Sequence, residues 1–183
     1  FGVPYEKVDV IPNGINVNKF DGVEKDMEFR RNYAADNEKI IFFAGRLVPE
    51  KGVNVLLDAY MKISQQYHDV KIVIAGKGPM LEEWKQKAYD MGIADKVYFT
   101  GLLNDKQITK MYKVIDVAVF PSTYEPFGIV ALEGMLSGTP TVVSDAGGLN
   151  EIVEHGVNGM KSYAGNSNSI ADSILTLLYD HKL

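Results

Sequence analysis

The sequence contains no cysteine, which removes disulfide frameworks, thiolate metal sites and thiol nucleophiles and leaves the redox compartment open. Its three histidines, His68, His155 and His181, stand too far apart for their spacing to suggest a metal site. No apolar run approaches the roughly 20 residues that span a bilayer. The opening Phe1-Gly2-Val3-Pro4 has neither a basic stretch nor a signal-like apolar one, so cytoplasm is the default location. The missing initiating Met points to a piece excised from a longer chain. Positive charge is in short supply: 19 Lys and Arg face 24 Asp and Glu, a net charge of -5. Without a basic field to grip a phosphate backbone, nucleic acid is not an expected partner, and any cations that matter must act locally.

What is present suffices for one core. At 183 residues, 46% hydrophobic and 23% charged, the chain has the size of a single globular domain over residues 1–183. Short β-branched or aromatic runs at residues 8–11, 40–44, 70–75, 97–100, 117–120 and 141–144 read as buried strands. Between them apolar residues recur at helical spacing: Val53, Leu56, Leu57 and Tyr60, then Leu81, Trp84, Ala88 and Met91. A third set, Ile108, Met111, Tyr112 and Ile115, follows an Asn104 cap, and Ile170, Ile174, Leu177 and Leu178 form the last. Residues 21–37 are the charged exception and read as a surface helix and linker. Alternating strands and helices predict a doubly wound, Rossmann-like α/β domain, with a parallel sheet of about six strands and helices on both faces.

In such sheets ligands bind beyond the carboxyl ends of the strands, and the loops there carry the unusual residues. Gly45-Arg46-Leu47-Val48-Pro49-Glu50-Lys51-Gly52 sets two cations at either end of a tight turn before a helix N-terminus, which suits a phosphate but also fits a solvated charged turn. It is not a Walker A loop, because Glu50 precedes Lys51 where glycine should stand and Gly52 replaces the Ser or Thr. Gly76-Lys77-Gly78 begins like a dinucleotide fingerprint, but the third glycine would fall at Leu81; close packing and ligand contact are both open for it. Most specific is Glu125-Pro126-Phe127-Gly128-Ile129-Val130-Ala131-Leu132-Glu133. One carboxylate lies just before a helix and a second inside it, with amides of Gly128, Ile129 and Val130 offered to an anion. A helix-start charge would account for Glu125 alone, but not for Glu133 among apolar neighbours, where it needs a polar partner if buried.

The Gly-Arg-Leu-x-x-Glu-Lys-Gly and Glu-x7-Glu patterns are preceded by Pro12-Asn13-Gly14-Ile15 and followed by Gly147-Gly148-Leu149-Asn150-Glu151-Ile152-Val153. Together, and over nearly the whole chain, they resemble the carboxyl-terminal, donor-binding domain of GT-B fold, family-four retaining glycosyltransferases (glycosyl transferases group 1), the group containing glycogen, sucrose and many glycolipid glycosyltransferases. The resemblance implies that Arg46 and Lys51, beside Gly45, clasp the donor diphosphate and stabilise the leaving charge. It implies that Glu125 contacts sugar hydroxyls and completes the catalytic set with Arg46 and Lys51. Glu133 then meets the ribose, amides around Phe127, Gly128, Ile129 and Val130 hold sugar and phosphate, and the base lies near Gly78 and Leu102.

The resemblance further implies a nucleoside-diphosphate sugar as substrate, no metal and no separate cofactor, and the sequence has no Asp-x-Asp of the kind that metal-dependent GT-A enzymes use. It also implies an amino-terminal acceptor domain that is not represented here, an isolated domain without activity, and room for peripheral membrane association of the full enzyme. Two neighbouring readings share the architecture: a nucleotide-sugar epimerase, disfavoured by Glu-x7-Glu and Glu50-Lys51-Gly52, and a non-catalytic sugar-nucleotide binding module. A receiver-like signalling domain would want acidic strand ends, where Gly45-Arg46 and Gly76-Lys77 stand instead.

Overall fold

Strand β1 (Lys39–Ala44) is apolar at consecutive positions because both its faces are covered: Ile41 and Phe43 enter one core, Ile40 and Phe42 another. In the computed structural model, which describes residues 2–9, 11 and 13–180, it is joined by β2 (Val70–Ala75), β3 (Val97–Gly101), β4 (Val117–Phe120), β5 (Thr141–Ser144) and β6 (Met160–Ser162). The order is β3-β2-β1-β4-β5-β6, every neighbour parallel.

The same alternation recurs along the sheet. Ile72, Ile74, Val117, Val119 and Val142 share the first core with α2 (Val53–Gln66), α3 (Leu81–Asp90) and α7 (Ser167–Tyr179). Val73, Ala75, Ala118, Phe120 and Val143 share the second with α4 (Asp105–Val114), α5 (Ile129–Leu136) and α6 (Gly148–Ile152). A helix covering each strand pair is what right-handed crossovers between parallel strands require. Helix α2 shows the packing logic: Val53, Leu56, Leu57, Tyr60 and Ile63 all lie on its inner stripe and are at most 2% exposed, each contributing roughly 1.5–3 kcal/mol of burial. Asn104 caps α4 as its position suggests, accepting from the Gln107 amide at 2.9 Å while Gln107 Oε1 accepts from the Asn104 amide at 3.0 Å.

Three expectations need correction. Val8, Asp9 and Ile11, the described residues of the expected first strand, lie in no strand: a 3-10 turn at Tyr5–Lys7 precedes them, and Val8 and Ile11 are 51% and 86% exposed. Both edges of β1 are already taken by β2 and β4. Val10 lies outside the described residues, as do Pro12 and His181. The sixth strand is instead β6, three residues whose weak β signal is overridden by pairing with β5. Residues 21–37 hold only the four-residue helix α1 (Met27–Arg30), capped by Asp26, and they are not merely a solvated linker. Arg30 is 4% exposed, and Phe20 and Ala34 enter the second core.

Arg30 is tolerated there because its guanidinium donates to the Glu38 carbonyl at 2.6 Å and to Asp116 Oδ2 at 2.8 Å. Asp116 also accepts from Lys39 Nζ at 2.9 Å and from the Ile40 amide at 2.9 Å, so one carboxylate ties α1, β1 and the start of β4. Asp116→Ala leaves a buried guanidinium without its counter-charge and is expected to cost about 3 kcal/mol, read as a lowered urea midpoint with an unchanged slope.

Candidate functional site

All six strands run the same way, so every loop from strand to helix opens on one edge of the sheet. The direction in which strands are added reverses between β1 and β4: α2 leaves β1 toward one face and α5 leaves β4 toward the other. The two strands pair at Ile41 with Val117 and Phe42 with Ala118, whereas β1 pairs with β2 at six positions up to Ala44. Beyond Phe42 they part, leaving the crevice in which open α/β sheets hold ligands.

The helix starts along this rim fall into two groups. At the two edges of the sheet, α4 and α7 are capped by the side chains of Asn104 and Asn166. The helices following the four inner strands, α2, α3, α5 and α6, begin without a side-chain cap. First-turn amides and the positive ends of these helices therefore face the same stretch of rim with no capping side chain, Glu125 making only a long contact to the Gly128 amide at the start of α5.

Backbone packed on backbone holds the loops together. Gly52 has φ +69°, and a Cβ there would collide with the Pro121 carbonyl oxygen across the crevice. Gly147, at φ +49°, is pressed in the same way onto the Glu125 carbonyl, which accepts from the Gly148 amide at 2.8 Å. Gly78 packs against the Leu47 backbone, so it serves the close approach that its Gly-x-Gly setting allowed. The Glu50 carbonyl accepts from the Thr123 amide at 2.8 Å, adding a second stitch between the β1 and β4 loops.

Glu125 is 7% exposed, and Lys51 Nζ donates to its Oε2 at 2.7 Å. A carboxylate so buried needs such a partner, and Lys51, expected as a free clasp, is therefore tied to it across the crevice. The Gly128 amide makes a long contact of 3.5 Å to Glu125 Oε1. Phe127 and Ile129 are exposed and Val130 is half-buried at the start of α5. Arg46 is exposed, with no ion pair or hydrogen bond among the described residues. It lines a pocket of about 200 Å³ with Gly45, Lys77, Leu102 and Leu103.

Glu133, in the second turn of α5, pairs with Lys19, and the two side chains are 21% and 24% exposed. That is the polar partner its apolar neighbours demanded. The Tyr112 hydroxyl is buried without a hydrogen-bond partner; burial, and secondarily the negative charge of Glu133, push its pKa well above the usual phenol value.

Sequence reasoning overlooked two cations. Lys77, exposed and unpaired among the described residues, was signalled by its place between two glycines after a strand. Lys19 carried no signal, being 114 residues from Glu133. A larger groove of about 700 Å³ lies at the β6 edge, but its polar groups bond one another: Asp145 accepts from the Ala164 amide at 2.8 Å, and His155 Nδ1 accepts from the Lys161 amide at 2.9 Å. Size alone therefore does not identify the site.

A doubly wound domain with Glu-x7-Glu entering an inner helix and cations on the adjoining loops defines one half of a GT-B protein. Residues 24–183 match the family described as glycosyl transferases group 1, and the chain belongs to that family. It is similar to an uncharacterized glycosyltransferase of Methanocaldococcus jannaschii, 47% identical over 184 residues, covering 98% of this chain and 47% of the relative. It is also similar to a GDP-mannose-dependent alpha-(1-6)-phosphatidylinositol monomannoside mannosyltransferase of Mycobacterium tuberculosis, 30% identical, covering 97% of this chain and 48% of the relative. Among solved structures, Anabaena HepE in complex with UDP and glucose superposes with a TM-score of 0.87 at 31% identity, covering 99% of this chain and 50% of that one. The chain thus spans about half the length of the proteins it matches. Among the described residues no helix is long and apolar enough to cross a membrane.

Gly147→Ala places a methyl group against the Glu125 carbonyl in a conformation that L-residues avoid. It is expected to cost about 1–3 kcal/mol, seen as a lowered melting temperature.

Proposed function

We propose that the rim binds the diphosphate and sugar of a nucleoside-diphosphate sugar. On this reading the chain is the donor-binding half of a glycosyltransferase that moves a hexosyl group to an acceptor hydroxyl, with retention and without a metal ion. The observation that carries the reading is the presence, along one rim of the sheet, of uncapped helix starts together with two cations on the loops after β1 and β2, Arg46 and Lys77, that lack counter-ions among the described residues. The protein as a whole is acidic, so positive potential gathered at one place has a local purpose.

The chemistry follows from where charge appears. As the bond from the sugar's anomeric carbon to the diphosphate oxygen breaks, negative charge grows on the leaving diphosphate. Donors already fixed around that position stabilise it without reorganising. Arg46 and Lys51 supply the charge, and the amides of Gly128, Ile129 and Val130 supply oriented dipoles. Charge provided in this way is the support for a reaction that needs no divalent cation. Glu125, held in place by Lys51, accepts hydrogen bonds from sugar hydroxyls, and Leu102 and Leu103 offer an apolar seat for the base. HepE, solved with UDP and glucose, and the GDP-mannose-dependent relative support the class of donor.

The acceptor lies on a second domain facing this rim. The half-length match to relatives supports that arrangement, as do the large apolar side chains standing exposed there, Leu102, Tyr124 and Phe127, each at least 60% exposed.

Titration calorimetry with UDP, GDP and ADP in the presence of chelator tests the reading. One nucleoside diphosphate is expected to bind, and Arg46→Ala and Lys51→Ala are each expected to weaken it by roughly 1.5–3 kcal/mol, the range for charge-assisted hydrogen bonds. Binding indifferent to both substitutions would overturn the site assignment.

A further inference from the structure

Glu133 carries a feature that the donor reading does not use. Its Oε1 is bonded by Lys19 Nζ, while its Oε2 makes no hydrogen bond among the described residues. Lys19 belongs to the segment that leads into the domain, and that segment is pinned. The adjoining Phe20 is 6% exposed, stands edge-on to the Tyr112 ring at 5.9 Å, and lies under the Lys113 ammonium, 5.6 Å from its ring centroid. The backbone next to Lys19 is therefore anchored on the second core, within reach of Glu133.

A pair this exposed contributes little stability, on the order of 0–1 kcal/mol. Its geometry does more. An ammonium on one oxygen holds the carboxylate's rotamer and leaves the lone pairs of the other oxygen free to accept. Nearby, the buried Tyr112 phenol has no partner of its own and makes no hydrogen bond to that open oxygen. A carboxylate with one oxygen occupied and one open is suited to a sugar diol, whose hydroxyls donate, and unsuited to a phosphate.

We propose that Lys19 is a positioning residue for ribose recognition: its ion pair orients Glu133 so that the open oxygen accepts from the ribose hydroxyls of the nucleotide. The proposal rests on the reading of Glu133 as the ribose contact, and Lys19 itself touches no part of the ligand. It assigns a role in nucleotide selection to a segment outside the strand-end loops.

The test measures binding of UDP and GDP, and of their 2′-deoxy and 3′-deoxy analogues, by calorimetry on the unmodified chain, Lys19→Met, Lys19→Arg and Glu133→Gln. The unmodified chain is expected to prefer one ribonucleotide over at least one of its deoxy analogues by roughly tenfold, the worth of one charge-assisted hydrogen bond. Lys19→Met should lose most of that preference, as Glu133→Gln does, and Lys19→Arg should restore it. If Glu133→Gln abolishes the preference while Lys19→Met keeps it, Lys19 is a structural tie only and the proposal fails with the donor reading intact. If neither ribonucleotide binds, or Glu133→Gln leaves the preference unchanged, Glu133 is not at the ribose and the reading beneath the proposal fails with it.

Discussion

The divergence of β1 and β4 is the constraint from which the rest of the site follows. The helices of these two strands leave to opposite faces, and the pairing stops at Phe42 and Ala118, short of the end of either strand. The gap has to be closed by something other than strand hydrogen bonds. Gly52 set against the Pro121 carbonyl, the Glu50 carbonyl bonded by Thr123, and the Lys51–Glu125 ion pair close it. Each bridges the β1 loop and the β4 loop, so the elements that complete the fold at the switch point are the same ones that position the candidate chemistry.

Much of the scaffold was legible because its signals are local. The runs at Ile40 and Val70 and the helical stripe of Leu56, Leu57 and Tyr60 could hardly form anything but strands and a helix covered on both sides. Two strands were misjudged for opposite reasons. Residues 8–11 carry the β-branched composition of a strand but the described ones among them pair with no strand, while Met160–Ser162 has a poor composition but a partner in β5. Tertiary pairing outweighs propensity in both cases. Arg30 was invisible for a related reason: its burial depends on Asp116, 86 residues away.

The candidate site divides in the same way. Glu125, Arg46 and Lys51 sit in motifs with a physical signature at short range, but their mutual state does not. That Lys51 is bound to Glu125 while Arg46 stands free is a property of the folded rim. The side-chain caps at the outer helices and their lack at the inner ones show a similar trade. Capping is worth about 1 kcal/mol per helix, and it is absent from the helices that follow the inner strands.

The loop after β3 behaves unlike its neighbours. Gly101 has φ +71° but open space around it, and Leu102 is 64% exposed, whereas Gly52, Gly78 and Gly147 are wedged against other backbone. Sequence drift is channelled accordingly. A lineage built on this plan can exchange Leu102 with little folding penalty, while positions 52, 78 and 147 are locked by collision. Change along this rim is cheapest at Leu102 and dearest at those three glycines, which makes Leu102 the natural place to alter the rim by design.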